Sequence, residues 1–427
     1  MSDALRIGIA GLGNVGASVF RLIQDNAVIL RARAGRDIRV TAVSARDKNK
    51  KRDIDLSGVA WHDDPLNLAD DKNVDIIVEL IGGAQGIAFD LVSKSLQNKK
   101  PVVTANKALL ATRAPEIFSL SGILAYEAAV AGGIPVIKTL REGLAANNIH
   151  AIYGILNGTC NFILSEMTST GRDFGDVLKE AQQKGYAEAD PSFDIDGIDA
   201  GHKLSILSGL SFGGVPDVKN MRMEGVRHVS SLDISFADEL GFRIRLLGIA
   251  RKTDKGIEQT VEPCLVPKNS AIAAVEGPLN AVYIDGDFVG KVLLTGAGAG
   301  GDATASAVVA DIIDIARGHV LPLMGMDSKK IKSLQNSDIG ARIGSYYLRL
   351  MVLDQPGVIA DVSAILRDCK VSLESVLQRG RDPNQTVPVI LTTHETRESD
   401  MRMATEKISK LKSVTEPPHL MRIEVFS

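Results

Sequence analysis

The sequence predicts an α/β protein in which a doubly wound parallel sheet is followed by a separate α+β region and a C-terminal βαββαβ unit. Three observations predict it. A short apolar stretch at 5–10 runs at once into a glycine-rich turn and a helical pattern. Strand-like and helical runs then alternate to about residue 140, the order of parallel strands joined by crossover helices. From 345 onward the order strand, helix, strand occurs twice. A chain of 427 residues is long for one core, so two or three domains are expected, each large enough to fold without staples.

The first stretch leads into GLGNVG at 11–16 and then SVFRLIQ, which continues as a helix. In a strand, turn, helix context Gly11 permits the turn, Gly13 lets the backbone approach a pyrophosphate, and Gly16 allows close helix–strand packing. Asn14 and Val15 open the helix, whose N–H groups face the anion. This is the fingerprint of a Rossmann dinucleotide site. A second strand at 39–44 ends in SARDKNK, where such sheets place an acid for the ribose of NAD or a basic residue for the 2′-phosphate of NADP. Arg46 and Lys48 favour the phosphate and Asp47 suits the ribose diol, so NADP is expected, with NAD as the alternative. Further strands are predicted at 74–83, which contains Ile81 as another cofactor contact, at 101–111 and at 122–133. Ligands of such sheets sit at the carboxyl ends of the strands, where Thr104, Asn106 and Lys107 fall. A cation at a helix N-terminus opposes the helix dipole, which argues that Lys107 is there for function.

Beyond 140 the pattern changes to helices at 136–146, 162–168, 174–184 and 197–210, with strands near 149–156, 242–253 and 256–266. The stretch KGYAEADPSFDIDGIDAGHK at 184–203 packs five carboxylates and ends in a lysine. At about 100° per residue Ala200, Leu204, Ile206, Leu207 and Leu210 share an arc, and Asp199 and Lys203 fall inside it. On a solvated face this i,i+4 pair is worth only about 0.3–0.5 kcal/mol. Ionised groups turned inward need partners, and a polar substrate is a natural one. A glycine loop at 296–300 then opens a helix at about 303–320 whose Val308, Ile312 and Ile315 form an apolar stripe suited to pack back on the nucleotide domain. A Lys-, Ser- and Gly-rich linker at 326–344 leads to the βαββαβ unit, 345–427, a size that can fold alone.

Composition narrows the function. A net charge of −3 and 4% aromatic residues provide neither a broad basic surface nor stacking platforms, so no nucleic-acid partner is expected; KNKKR at 48–52 reads as a solvated loop. No apolar run approaches the ~20 residues of a membrane span and the start has no signal core, so a cytoplasmic protein without a membrane partner is expected. Cys160, Cys264 and Cys369 are too scattered for a disulfide framework or a CxxC metal site. Cys160 reads as a small packed residue rather than a nucleophile, and the histidines lack metal-ligand spacing.

Taken together, GLGNVG, VTANKALLA, YEAAVAGGIPVI, GILNGTCNFIL, GYAEADPSFDIDGIDAGHK and GAGAGGDAT resemble homoserine dehydrogenase, in that family's order and spacing, over nearly the whole chain. DQPGV at 354–358 resembles the first turn of an ACT domain. The resemblance implies a nucleotide domain at 1–140, a catalytic and dimerisation domain at 141–302 and a ferredoxin-like ACT regulatory domain at the C-terminus. It implies interconversion of L-aspartate 4-semialdehyde and L-homoserine with NAD(P)H, on the route to threonine, methionine and isoleucine. Carried onto matching positions, Lys107 and Lys203 resemble the active-site lysines, Glu188 the carboxylate that holds the substrate ammonium, and Asp194 and Asp199 acids that shape the pocket. Glu127 with the carbonyls of Val130, Gly132 and Ile134 resembles a monovalent-cation site, usually sodium, and Gly300 a glycine that approaches the nicotinamide nucleotide. A homodimer or homotetramer and feedback by threonine, bound around Asp354, Gly357 and Val358, are also implied. NGTCN, where the family often has NGTTN, makes Cys160 a small departure.

The chemistry asks for these residue types. Hydride transfer to an aldehyde develops negative charge on oxygen, which needs a cation or proton donor, and a lysine is both. Lys203 is expected as the main acid/base, with Lys107 polarising the oxygen, and Thr159 or backbone N–H groups of the NGTCN turn as partners of the substrate carboxylate. The alternatives are a thiol-dependent semialdehyde dehydrogenase and a nucleotide-sensing regulator without turnover.

Overall fold

The computed structural model describes residues 4–379 and 385–426, with the side chain of Ser328 also left out. Two large sheets and a two-stranded one organise these residues. The first is parallel throughout, with order β3-β2-β1-β4-β5-β6, from β1 (Leu5–Ala10), β2 (Ile38–Ser44), β3 (Ala60–His62), β4 (Ile76–Glu79), β5 (Val102–Thr104) and β6 (Leu124–Ala125). Helices cover both faces, which is why β1 and β4 read as nearly continuous apolar runs. The order reverses between β1 and β4, and the crevice at their carboxyl ends is where such sheets hold ligands. Helix Gly301–Ala316 returns to pack on helix Asn14–Asp25, with Val308 and Ile312 in the shared core.

Two of the predicted strands are shorter than their apolar runs. The run at 101–111 is a strand only over β5, because the Asn106 side chain accepts the Leu109 N–H at 3.1 Å and starts a helix, Lys107–Thr112. The run at 122–133 is a strand only over β6, then a 3-10 turn, Glu127–Ala129, and a left-handed turn at Ala131 and Gly132. The helix predicted at 136–146 is a single α-turn, Val136–Lys138, followed by a π-turn, Thr139–Gly143.

The second sheet is mixed. Its first part comes from β7 (Ile149–Ile155), short β9 (Arg222–Met223), and the long β10 (Phe242–Thr253) and β11 (Gly256–Pro267), while short β8 (Gly214–Val215) lies outside it in a two-stranded sheet of its own. β12 (Leu279–Gly286) and β13 (Gly290–Ala297) form a hairpin that sequence periodicity did not mark. After β14 (Lys332–Ser333) come β15 (Ile343–Leu353), β16 (Leu373–Gln378), β17 (Thr386–Thr393), β18 (Thr396–Arg397) and β19 (His419–Ile423). The main path runs β13-β12-β7-β10-β11-β19-β15-β17-β16. Helix Ile198–Phe212 lies against β7, β10 and β11, buried along almost its whole length. No helix among the described residues is long and apolar enough to cross a membrane.

The C-terminal strands, with helices Val358–Asp368 and Glu398–Ile408, follow the expected βαββαβ order, but the unit does not stand apart. β19 pairs in parallel with β11, Cys264 opposite Arg422 and Leu265 opposite Ile423. The segment 326–344 is no free linker: β14 pairs with β8, and Arg342 is buried in an ion network with Glu262 at 2.6 Å, Glu258 at 3.1 Å, and Glu398. Arg422 reaches Glu258 at 2.6 Å from the other side. A second tie centres on Asp233 of helix Ser231–Glu239, which accepts from Arg349 Nε at 2.8 Å and Tyr347 Oη at 3.0 Å and meets His419 Nδ1 at 3.0 Å. Burial alone would raise the Asp233 carboxyl, but His419 and Arg349 outweigh it and hold it well below the carboxylate range.

Asp233→Ala is expected to lower the unfolding free energy by about 3–5 kcal/mol at pH 7, because it strands Arg349 and His419 without their carboxylate. A depressed folded pKa means that this advantage of the parent is present above the unfolded value of about 3.9 and is lost as pH falls through the folded one. Denaturant unfolding at pH 7 and pH 3 checks it: the gap between parent and variant narrows at the lower pH, and an unchanged gap would contradict the assignment.

Candidate active site

Two glycine loops meet at the carboxyl edge of the parallel sheet. Gly11 has φ 101°, and a Cβ there would lie 2.5 Å from the Leu80 carbonyl oxygen; on Gly16 it would lie 2.0 Å from the Gly11 carbonyl oxygen. Gly13 faces open space and caps helix Asn14–Asp25, whose first residues Asn14 and Val15 border the same space. Gly300, at φ 116°, caps helix Gly301–Ala316, and a Cβ on Gly301 would meet Ser18 Oγ at 2.7 Å. The second loop is thus pressed against the first. Arg46 is exposed beyond the end of β2. Sequence reasoning missed Arg52, whose Nε donates to the Leu12 carbonyl at 3.0 Å and whose Nη2 donates to that of Asp47 at 2.9 Å, fastening the basic loop to the glycine turn. Ile81 is half-buried at the end of β4, its N–H donated to Glu79 at 2.8 Å.

Opposite these loops Asp194, Asp199, Lys107 and Lys203 converge. Lys203 is buried, and its ammonium donates to the Leu156 carbonyl at 2.7 Å and to Asp199 Oδ2 at 2.7 Å. Lys107, from the start of helix Lys107–Thr112, brings its ammonium to 3.3 Å from Asp199 Oδ1. One buried carboxylate therefore stands between two ammoniums. Burial alone would raise the Asp199 carboxyl, but Lys203 and then Lys107 outweigh it and hold it at about 2. Two lysines facing each other directly would each disfavour the other's charge; here Asp199 supplies the counter-charge to both.

Asn157, which the sequence did not single out, is the hub of this cluster. Its Nδ2 donates to Asp194 at 2.8 Å and Asp199 at 2.9 Å, while its Oδ1 caps helix Gly158–Thr170 through the Cys160 N–H at 2.8 Å. Burial holds the Asp194 carboxyl above its ordinary value in spite of that hydrogen bond. The Thr159 hydroxyl donates to the Tyr186 carbonyl at 2.6 Å, so its proton is already engaged. Glu188 is exposed, and its carboxylate contacts neither Asp199 nor the lysines. Cys160 is fully buried, its thiol set against the Asp194 carbonyl at 3.3 Å; burial pushes it well above the ordinary thiol range, the state of an inert packed residue. His202, one residue before Lys203, packs edge-on against Phe193 and is held below its ordinary value by burial.

Glu127 is 2% exposed and accepts the Ile137 and Lys138 N–H groups at 2.9 and 2.8 Å. Burial, then the neighbouring Asp311, pushes it up to about 7. The turn carrying Val130, Gly132 and Ile134 follows directly; Ala131 and Gly132 have φ 56° and 52°, and a Cβ on Gly132 would strike the Gly298 carbonyl at 2.6 Å. Among the described residues no cluster of three or more His, Cys, Asp or Glu is poised for a metal; Asp311 beside Glu127 is engaged by the Glu127 N–H at 2.9 Å and by Lys138 at 3.3 Å, which leaves the Glu127 carboxylate and nearby carbonyls as the candidate donors. That donor set fits a weakly held monovalent cation. Far from this region, Asp354, Gly357 (φ 97°) and Val358 line a cleft of about 590 Å³ with Pro356 and Gln378.

A parallel sheet with a glycine-turn crevice, facing a buried lysine and carboxylate cluster on a second, mixed-sheet domain, defines an NAD(P)-dependent oxidoreductase. Residues 11–122 match the family model described as homoserine dehydrogenase, NAD binding domain, and residues 135–313 the model described as homoserine dehydrogenase. A homoserine dehydrogenase of Neisseria gonorrhoeae is 46% identical over 98% of both chains. The crystal structure of one from Thiobacillus denitrificans superposes with a TM-score of 0.92 at 43% identity, over 99% of each chain. A hyperthermophilic archaeal homoserine dehydrogenase, solved in complex with NADPH, gives a TM-score of 0.62 at 29% identity over 73% of this chain and 97% of its own. The chain belongs to the homoserine dehydrogenase family.

Proposed function

We propose that this homoserine dehydrogenase interconverts L-homoserine and L-aspartate 4-semialdehyde with Lys203 as proton donor and acceptor and Lys107 as electrostatic partner, a step toward threonine, methionine and isoleucine. The observation that carries this reading is the Lys203–Asp199–Lys107 cluster. An ammonium has three donors, and two of those on Lys203 are spent on Leu156 and Asp199. The third is left for the oxygen on which charge develops. Nicotinamide, when bound, supplies or takes the hydride. In the reductive direction Lys203 gives its proton to the forming alkoxide and regains one from solvent; in the oxidative direction the amine form takes the hydroxyl proton. Asp199 stays ionised throughout the working range and so holds Lys203 in place without exchanging protons itself.

The substrate ammonium is assigned to Glu188, free on the rim, with Asp194 deeper in the pocket. Because the Thr159 proton is engaged, backbone N–H groups of the NGTCN turn are the better partners for the substrate carboxylate. Arg46 and Lys48, backed by Arg52, favour the 2′-phosphate of NADP, and the archaeal relative with NADPH supports the same choice. Three free, buried cysteines suit a reducing cytoplasm. The exposed Phe288 at the tip of the β12–β13 hairpin and the open edge of β13 suit a homodimer or homotetramer.

Lys203→Met is expected to cut kcat for homoserine-dependent NADP reduction by about 10²–10⁴-fold with little change in cofactor affinity. Cys160→Ala, by contrast, retains turnover. If the thiol variant is dead and the lysine variant active, the acid/base assignment is wrong.

Glu127 and the carbonyls of Val130, Gly132 and Ile134 are the proposed holders of a sodium ion, which competes with the proton for the same carboxylate. With Glu127 at about 7 in the cation-free protein, sodium affinity rises about tenfold between pH 6 and pH 8. Sodium-dependent shifts in Tm at the two pH values measure this; the difference vanishes in Glu127→Gln.

The C-terminal unit is read as an ACT domain in which the cleft at Asp354, Gly357 and Val358 binds threonine through backbone N–H groups and feeds back on turnover. Threonine titration is expected to lower turnover, and Gly357→Val, which cannot adopt φ 97° without strain, to remove that response. Absence of a calorimetric signal for threonine would leave the unit a structural one.

A further inference from the structure

At the carboxyl end of β4 lies a charge the mechanism above does not use. Glu79 is 0% exposed and has no cationic partner among the described residues. A carboxylate buried without a counter-ion costs several kcal/mol unless every lone pair direction is served, so its retention asks for a reason. Its hydrogen bonds point to one. Oε1 accepts the N–H groups of Ile81 at 2.8 Å and Gly82 at 3.0 Å, curling the end of β4 onto itself. Oε2 accepts the Thr104 hydroxyl of β5 at 2.6 Å. The Thr104 oxygen in turn accepts the Asn106 N–H at 3.0 Å. Asn106 then does two things: its Nδ2 donates to the Gly83 carbonyl at 2.7 Å, and its Oδ1 caps the helix that begins with Lys107.

The ring Glu79–Thr104–Asn106–Gly83 therefore fixes two adjacent loops to each other. One is 80–83, whose Leu80 carbonyl stands against Gly11 of the cofactor turn. The other delivers Lys107 to Asp199 at 3.3 Å. We propose that Glu79 is a positioning residue that, through the Thr104 hydroxyl, sets the distance between the cofactor crevice and the Lys107 ammonium. It touches neither substrate nor cofactor. The proposal rests on the reading of Lys107 as part of the reaction site, and it adds to that reading the group that aims the lysine.

The test uses steady-state kinetics and cofactor titration of the full-length enzyme with Glu79→Gln, Thr104→Val, Thr104→Ser, the Glu79→Gln/Thr104→Val double variant and Lys107→Ala. Glu79→Gln and Thr104→Val are expected to lower kcat about 10- to 100-fold, the loss that misplacing a reacting group by ~1 Å produces, with KM and cofactor affinity moved far less. Because both break one relay, the double variant is no slower than the worse single one. Thr104→Ser restores the hydroxyl and recovers most of the loss. Should Glu79→Gln fail to fold, the Thr104 pair carries the test alone. Parent-like kcat in Thr104→Val, or equal loss in Thr104→Val and Thr104→Ser, overturns the positioning role while an inactive Lys107→Ala keeps the lysine reading. An active Lys107→Ala overturns both.

Discussion

Asp199 has a carboxylate oxygen against each of two ammoniums and an amide at 2.9 Å, in a position only 4% exposed. Removing a carboxylate from water costs several kcal/mol, and here Lys203, the Asn157 amide and Lys107 compensate it. The two lysines come from different parts of the chain. Lys203 is one turn along the same helix, whereas Lys107 begins the helix after β5 of the nucleotide sheet. Sharing this buried charge therefore ties the mixed-sheet domain to the parallel sheet. The junction lies at the carboxyl edge of the nucleotide sheet, where sheets of this kind hold their ligands.

The surrounding backbone is arranged to hold that charge rather than merely to cover it. The Leu156 carbonyl takes one proton of Lys203 and also accepts from Asn280 Nδ2 at 3.0 Å. Asn280, on β12, is itself backed by the second glycine loop, since a Cβ on Gly298 would lie 2.0 Å from its Cγ. A continuous path thus runs from the glycine loop ending at Gly300, through Asn280, Leu156 and Lys203, to Asp199 and Lys107. The tight glycine is explained by packing, in the same way that Gly16 is explained by the Gly11 carbonyl.

Much of this was legible in sequence where the physics is local. Gly11, Gly13 and Gly16 carry their geometry in three positions of one turn, and the inward placement of Asp199 and Lys203 follows from helical spacing alone. What stayed hidden depends on contacts distant in sequence. Asn157 reads as an ordinary N-cap, and only the fold brings Asp194 and Asp199, 37 and 42 residues further on, onto its amide. The runs at 101–111 and 122–133 look like strands because they are apolar, yet Asn106 and the left-handed turn at Ala131 and Gly132 end them early. The β12–β13 hairpin was missed because β13, on the sheet edge, alternates only between half-exposed and exposed, leaving little hydrophobic contrast to read.

The attachment of the C-terminal unit follows from the same rule that buried charge must be paired. Arg342 and Arg422 share Glu258 across the β11–β19 junction, and both lie within 9% exposure. A shared sheet and two buried polar clusters thus tie the unit to its neighbours. From its Pro-Gly cleft to the Leu156 corner the route passes through β15, β19, β11, β10 and β7. Coupling between distant sites needs an element with two discrete arrangements. A continuous sheet supplies none of its own, so the proposed response to a ligand at Asp354 and Gly357 would have to act through the way the mixed sheet meets the nucleotide sheet. Within the cluster the contact that joins the two is Lys107 to Asp199 at 3.3 Å, and it is there that the proposed response would be felt.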